Sequence, residues 1–196
     1  MVRGVFLLGF LCWLGVVGKA QNLDVQLLQQ IHAPHYTVAD EPFKYLTHSV
    51  TMVSLSVPAT LLTVGWIKND SVAIRSAMVM AVAYGIAGVL TFSLKYSMNR
   101  PRPFEAYPQL FLQKTSGGSP SFPSGHTSLA FAAATSLSLQ YSRWYVIVPA
   151  YAWAGCVGYS RMYLGVHYPS DVLVGALIGM ASAYISYQAN RWLYKK

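Results

Sequence analysis

Five uncharged apolar stretches take up about half of the 196-residue chain and are separated by more polar segments. They cover residues 45–67, 76–94, 126–142, 144–160 and 172–190. A helix needs about 17–25 mainly apolar residues to cross a bilayer, so each stretch crosses or nearly crosses a membrane. The pattern therefore predicts an all-α integral membrane bundle of five or six spans.

The N-terminal segment 1–20 decides between those two numbers. Arg3 precedes the apolar run 4–18, and Lys19 and Ala20 follow it. This order is typical of a cleaved secretory signal peptide. It fits equally an uncleaved first span. Residues 21–196 then form one membrane domain.

Between this segment and the next span, the sequence predicts a helix that lies at the membrane surface. Leu23, Leu27, Leu28 and Ile31 recur at helical spacing, which indicates an interfacial helix over 22–33. Asp40, followed by Pro42, is a suitable start for the helix that becomes the next span.

Composition excludes several functions. Hydrophobic residues make up 54% of the chain and charged residues only 10%, with a net charge of +8. Many of the cations flank apolar runs, where they anchor spans, and no basic stripe is interleaved with aromatics, so we expect no nucleic-acid partner. Cys12 and Cys156 both lie in apolar stretches, which argues against a disulfide framework or a metal site.

Three short polar clusters interrupt this hydrophobic sequence. The first holds Lys95 and Arg102, the second Ser124, Gly125 and His126, and the third Arg161, His167 and Asp171. Charge in or beside a span is costly, so such residues usually pair with one another or mark a site. The loop 97–125 joins the first two clusters without crossing, and two further spans return the chain for the third. We therefore expect all three clusters on one membrane face.

The distribution of cations indicates which face this is. The opposite face would carry Arg3, Lys68, Arg75, Arg143, Arg191, Lys195 and Lys196. The face of the clusters would carry Lys19, Lys44, Lys95, Arg100, Arg102, Lys114 and Arg161. Setting aside Lys95, Arg102 and Arg161 as site residues leaves seven against four. The positive-inside rule then places the clusters outside the cytoplasm. We expect an integral membrane protein of the bacterial inner membrane whose active site faces the periplasm or exterior.

The spacing of the clusters resembles a known three-part signature. It consists of Lys95-(six residues)-Arg102-Pro103, then Pro123-Ser124-Gly125-His126, then Ser160-Arg161-(five residues)-His167-(three residues)-Asp171. This signature is similar to that of the type 2 phosphatidic acid phosphatase superfamily. That superfamily includes lipid phosphate phosphatases, bacterial class A acid phosphatases and vanadium haloperoxidases. The span pattern from about 45 to 190 resembles its membrane-bound branch.

The residue types suit phosphate chemistry without the resemblance. A phosphoryl group spreads its charge over three oxygens in the transition state, so catalysis consists mostly of positioning and charge stabilisation. Lys95, Arg102 and Arg161 can supply that charge, the arginines with bidentate geometry. Ser124 and Gly125 stand just before a helix, whose free N–H groups form an anion site.

The resemblance implies the remaining roles. It implies that His167 is the nucleophile and forms a phosphohistidine, while Asp171 holds the imidazole ring in the right tautomer. It implies that His126 protonates the leaving oxygen and then activates water. We expect no metal and no other cofactor, because the cations already occupy that role.

The predicted function is hydrolysis of a lipid phosphate or diphosphate that stays in the bilayer. Candidates suggested by the resemblance are phosphatidic acid, phosphatidylglycerophosphate, polyprenyl diphosphate and a lipid A phosphate. Two alternatives remain open: a vanadate-dependent haloperoxidase and a non-catalytic phospholipid-binding or transport protein. No obligate protein partner is inferred.

Several polar residues match no motif or have simpler explanations. Arg100 imitates the first motif two residues out of register, which favours a snorkelling cation at a span end. His32, His35 and His48 match no motif and are expected at the surface or membrane interface. Taken singly, Lys95 could also be a snorkelling cation and Ser124 a plain helix cap.

Overall fold

A computed structural model describes residues 22–118 and 120–194, so the segment 1–20 lies outside the described residues. All regular secondary structure in the described part is helical. A helix over 22–31, α1, comes first. It is followed by α2 (Asp40–Lys68), α3 (Ser71–Met98), α4 (Pro103–Ala106), α5 (Gly125–Gln140), α6 (Trp144–Tyr163) and α7 (Pro169–Leu193).

The five apolar stretches correspond to α2, α3, α5, α6 and α7, and the interfacial helix to α1. Local signals extend most of these helices beyond the apolar runs. Asp70, for example, caps α3 by accepting hydrogen bonds from Val72 N at 2.8 Å and Ala73 N at 3.2 Å. Within the described residues, three helical stretches, which contain α2, α3 and α7, are long and apolar enough to cross a membrane. The shorter α5 has 16 residues.

Helix α5 lies at the centre of the bundle and packs against α3, α6 and α7. Small residues allow this approach, and Gly175 and Gly179 form a small-xxx-small pair on α7. A Cβ on Gly175 would lie 2.6 Å from the carbonyl oxygen of Ser124, and one on Gly179 would collide with the carbonyl oxygen of Ser128. The N-terminal half of α7 is therefore held against the start of α5.

The ends of the bundle differ in character. Trp66, Trp144 and Trp192 are exposed and lie where α2 ends, α6 begins and α7 ends. Chain direction places these positions at one end of the bundle, as expected for an aromatic belt. The opposite end carries the last turns of α3 and α6 and the first turns of α2, α5 and α7. That end holds the three polar clusters.

Candidate active site

Backbone and side-chain contacts bring the three clusters together. Ser124 N donates to the carbonyl oxygen of Asp171 at 3.0 Å, which joins the start of α5 to the start of α7. Arg102 Nη1 donates to the carbonyl oxygen of Val166 at 2.7 Å and lies 3.4 Å from His167 Nε2. We call Lys95, Arg102, Arg161, His167 and Asp171 the phosphate cluster.

His167 and Asp171 form a buried pair across the first turn of α7. Nδ1 of His167 lies 3.4 Å from Oδ2 of Asp171. The same carboxylate oxygen accepts from Tyr168 N at 2.9 Å and from the Ser121 hydroxyl, and the Asp171 side chain is 0% exposed. A carboxylate fixed in this way keeps the imidazole proton on Nδ1 and leaves the lone pair on Nε2.

The surroundings of His167 also keep its ring neutral. Burial lowers the pKa of His167 to about 3, and the charges of Arg161 and Arg102 act in the same direction against the opposing effect of Asp171. At neutral pH the Nε2 lone pair is therefore available, next to the guanidinium of Arg102.

Two cations of the phosphate cluster lack an acidic partner. Neither Lys95 nor Arg161 has a carboxylate oxygen within 4.0 Å among the described residues. Arg161 is 3% exposed and donates from Nη1 to Thr47 Oγ1 at 2.8 Å, while its buried Nε has no hydrogen-bond partner in the described part of the chain. Lys95 Nζ donates to the carbonyl oxygen of Pro120. Buried donors left this way favour a bound anion.

Arg102 is held by the long loop between α3 and α5. Its backbone N–H donates to Glu105 Oε2 at 2.9 Å, at the start of α4. Gly117 passes over its guanidinium, where a Cβ would lie 2.9 Å from Cζ. A larger side chain at position 117 would therefore displace either the loop or the guanidinium of Arg102.

The second motif forms the start of α5. Ser124 is the N-cap residue, and its Oγ accepts from Thr127 Oγ1 at 2.8 Å, which leaves the Ser124 hydroxyl proton free to donate to a ligand. Gly125 follows as the first helical residue. His126 is half-buried, and its imidazole lies within the electrostatic influence of three cations, Arg161, Arg102 and Lys95. All eight predicted site residues therefore lie in one neighbourhood.

Arg100 is a residue of this site that the motif reasoning missed. It does not snorkel: its Nη1 donates to Asp171 Oδ1 at 2.7 Å and its Nη2 to Asp24 Oδ2 at 2.8 Å. Its guanidinium also stacks over the ring of Tyr168, 3.9 Å from the centroid. The snorkelling prediction was therefore wrong. The sequence did contain a signal for this pairing: Asp24 is a carboxylate in the predicted interfacial helix, where a cation such as Arg100 can pair with it.

The expectation for His32 was also wrong. His32 is buried, with Nδ1 2.9 Å from the carbonyl oxygen of Tyr163 and Nε2 accepting from Leu112 N at 3.0 Å. It joins α1, the loop and the end of α6. His35 and His48 are exposed, as expected.

A second buried charged group lies beside the loop, at the start of α2. Lys114 Nζ lies 2.8 Å from Asp40 Oδ1, and Tyr163 OH donates to the same oxygen at 3.0 Å. Thr37 contributes two further hydrogen bonds to Asp40, from its N and Oγ1, each 3.1 Å long. We call Thr37, Asp40, Lys114 and Tyr163 the anchor cluster, because it fixes the loop to α2 and α6.

The model of the PAP2 superfamily matches residues 76–195, which include all three motifs. The chain belongs to this superfamily. An undecaprenyl-diphosphatase of Sulfolobus acidocaldarius is 32% identical over 67% of this chain and 62% of its own length. A lipid A 1-phosphatase of Porphyromonas gingivalis is 33% identical over 60% of this chain and 25% of its own length. The chain thus spans about three fifths of the first relative and a quarter of the second.

A solved structure agrees with the arrangement of the helices. The crystal structure of Aquifex aeolicus LpxE superposes with a TM-score of 0.70 at 31% identity, over 85% of this chain and 95% of that one. The chain is therefore an all-helical integral membrane member of the superfamily, and the predictions of family and fold class are confirmed.

Proposed function

We propose that this protein is a phosphatase that removes phosphate from a membrane lipid phosphate or diphosphate through a phosphohistidine. The observation that carries this proposal is the position of His167. Its ring lies between the buried carboxylate of Asp171 and the guanidinium of Arg102, in a cluster where Lys95 and Arg161 have no carboxylate partner among the described residues.

In the first step, the Nε2 lone pair of His167 attacks phosphorus and forms a P–N bond. The phosphoryl oxygens face Lys95, Arg102 and Arg161, which stabilise the charge of the transition state. The P–O bond to the lipid breaks, and its electron pair goes to the leaving oxygen. His126, whose protonated form is stabilised by the negative charge of the bound phosphate, donates its proton to that oxygen.

In the second step, His126 is neutral and takes a proton from a water molecule. The water oxygen attacks phosphorus, and the electron pair of the P–N bond returns to His167. Inorganic phosphate leaves, and both histidines regain their starting protonation. Each step balances with water as the only co-reactant.

The membrane setting favours a lipid as the leaving group, since the hydrocarbon tail can stay in the bilayer while the headgroup enters the bundle. The names of the two curated relatives, an undecaprenyl-diphosphatase and a lipid A 1-phosphatase, support this class of substrate. The cation distribution supports a site on the non-cytoplasmic side of the membrane.

The test is phosphate release by the purified protein in detergent, in the presence of a chelator. The panel holds dioleoyl phosphatidic acid, phosphatidylglycerophosphate, undecaprenyl diphosphate, lipid A and soluble phosphate esters. His167→Ala should lower release from the best substrate by at least about 1,000-fold, because covalent catalysis is lost. His35→Ala, at an exposed histidine, is the matched control and should keep full activity.

Two results would contradict the proposal. Release that persists in His167→Ala would exclude the phosphohistidine, and binding of lipids without any release would favour the non-catalytic alternative. An acid-labile phosphoenzyme seen with the unmodified protein and absent in His167→Ala would support the covalent step directly.

A further inference from the structure

A narrow cavity of about 260 Å³ opens between α3 and α5 directly beside the phosphate cluster. Lys95 of the cluster and Gly125 of the second motif line one end of it. Away from this end its walls are mostly apolar and include Gly88 and Leu129. The cavity therefore connects two predicted phosphate-binding residues to the hydrocarbon-facing part of the bundle.

Two buried hydroxyl groups in this cavity are unpaired. Thr91 is 6% exposed and Ser128 is 1% exposed, and neither hydroxyl has a hydrogen-bond partner among the described residues. Elsewhere in the described spans the hydroxyls of Ser54, Tyr84 and Ser136 are also unpaired, but only Thr91 and Ser128 of this group line the cavity beside Lys95. Ser138 and Ser182 each donate at 2.7 Å to the carbonyl oxygen four residues earlier. An unpaired buried hydroxyl carries an uncompensated desolvation cost, so these two donors favour a ligand oxygen between α3 and α5.

The positions of these groups along α3 match the order of groups in a lipid phosphate. With a rise of about 1.5 Å per residue, Thr91 lies about 6 Å and Gly88 about 10 Å below Lys95 along the helix axis. A second, shallower cavity of about 500 Å³ shares Gly88 and Phe92 with the first and continues along the outer side of α3. Along the two cavities, starting from Lys95, the lining is thus first cationic, then carries hydroxyl groups, and is finally apolar and open.

We propose that this groove between α3 and α5 is the binding site of the substrate's lipid part. The hydroxyls of Thr91 and Ser128 donate to the oxygen nearest the scissile phosphate, which is an ester carbonyl or an inner phosphate oxygen. The hydrocarbon chain then passes Gly88 and Phe92 into the bilayer. This inference rests on the proposed function, because it assumes that the reacting phosphate lies at Lys95.

A larger cavity, of about 760 Å³, is the competing site. It lies between α1, the end of α3 and the start of α7, where Leu23, Leu27 and Leu173 line it. Its cationic lining residue is Arg100, whose terminal nitrogens already donate to Asp24 and Asp171. None of the eight predicted site residues lines it, so it lies behind Asp171 and away from the phosphate position.

The test uses a phosphatidic acid with a diazirine in one acyl chain, crosslinked to the full-length His167→Ala protein so that the lipid is not consumed. Adducts are mapped by mass spectrometry with and without Gly88→Trp. Gly85→Trp is the matched control, because a Cβ at either glycine meets no heavy atom within 4 Å and Gly85 lies outside the groove. We expect adducts on residues 88–92 and 129, reduced about tenfold by Gly88→Trp and unchanged by Gly85→Trp.

Adducts centred on Leu23, Leu27 and Leu173, or labelling of the groove that Gly88→Trp leaves intact, would overturn the proposal. Phosphate release is measured in parallel on the protein that retains His167. This measurement tests the phosphatase activity separately from the position of the lipid. Release with labelling elsewhere refutes the groove alone, whereas labelling of the groove without release refutes the phosphatase alone.

The hydroxyl pair has its own test. Thr91→Val and Ser128→Ala should each raise KM for dioleoyl phosphatidic acid about 3- to 10-fold, the range expected for one hydrogen bond. The same changes should raise the melting temperature of the lipid-free protein, because each removes an unpaired buried group. Ser138→Ala, on the same helix but with its hydroxyl already bonded, should not change KM. An unchanged KM in both variants would refute the role of the hydroxyls.

The size of the effect also identifies the ligand oxygen. If the acceptor is an inner phosphate, Thr91→Val should raise KM more for farnesyl diphosphate than for phosphatidic acid. If it is an ester carbonyl, the order should be reversed.

Discussion

The anchor cluster and the phosphate cluster are both buried groups of charged side chains at one end of the bundle, yet their charges are arranged differently. In the anchor cluster, Lys114 and Asp40 are 0% and 3% exposed and neutralise each other at 2.8 Å. Tyr163 and Thr37 occupy the remaining acceptor positions of the carboxylate. In the phosphate cluster, Lys95 and Arg161 have no carboxylate within 4.0 Å among the described residues.

This difference separates two uses of buried charge. A buried pair whose hydrogen bonds are complete holds a loop in place and needs no ligand. A buried cation without a counter-ion is costly in the empty protein, and that cost is offset only when an anion binds. Damage to the anchor cluster should therefore lower stability, and damage to the phosphate cluster should lower activity.

The largest stability effect is expected from breaking the anchor pair on one side. Lys114→Met leaves Asp40 as an uncompensated buried charge, so the free energy of unfolding should fall by about 3–5 kcal/mol. Adding Asp40→Asn should restore most of this loss, because the remaining charge is removed. Reversible unfolding of the purified protein in detergent measures both variants.

The matched control for this prediction is an exposed pair on the same helix. Lys44 and Glu41 form a salt bridge at 2.7 Å, with side chains 28% and 64% exposed. Lys44→Met should lower the free energy of unfolding far less than Lys114→Met does, because surface ion pairs contribute little to stability. Equal losses for Lys44→Met and Lys114→Met would show that the anchor cluster does not fix the loop.

Sequence reasoning located the helices and the motif residues because both leave local signals. Apolar stretches mark spans directly. The motif positions needed only chain order and span direction to be placed on one face. These are properties of short segments, which a single sequence displays.

The anchor cluster could not be predicted in this way. Asp40 and Lys114 lie 74 residues apart, and their pairing depends on how the loop folds back over α2. Asp40 looked like an ordinary helix start, a role that it also fills. The role of Arg100 was not predicted for a related reason: its partner Asp24 lies 76 residues away. The motif spacing matches Arg102 and gives no role to Arg100. Non-local pairs of this kind appear only once the chain is folded.

Removing a cation from the phosphate cluster should lower activity strongly and stability little, the opposite of what we expect at the anchor cluster. Arg161→Met should lower kcat/KM for the best lipid phosphate by about 100- to 1,000-fold, as loss of a transition-state donor does. Its free energy of unfolding should change by less than about 1 kcal/mol, because the lost hydrogen bond to Thr47 is offset by removal of an unpaired buried charge. Phosphate release and unfolding are measured on the same preparation.

Arg143→Met is the control for this variant. Arg143 precedes α6 at the opposite end and is exposed, so its loss should leave kcat/KM unchanged. If Arg161→Met proved as destabilising as Lys114→Met, the distinction between the two clusters would be lost.

Arg100 lies between the two cases, because it is both paired and next to the phosphate cluster. We expect Arg100→Lys to lower kcat about tenfold with little change in KM, since a lysine cannot bridge Asp24 and Asp171 while stacking on Tyr168. The cause would be a less well oriented His167. A rise in KM with normal kcat would instead indicate direct contact with substrate.

The smallest effect concerns the empty protein and an inorganic anion. Because Lys95 and Arg161 have no carboxylate partner among the described residues, inorganic phosphate should stabilise the protein, by about 1.4 kcal/mol at ten times its dissociation constant. Arg161→Met should lose this stabilisation, whereas the Asp40→Asn/Lys114→Met double variant should keep it, because the anchor cluster has no vacant donor for an anion. Potassium chloride at equal ionic strength controls for screening. Stabilisation that survives in Arg161→Met would place the bound anion elsewhere, and the unpaired cations would then need another explanation.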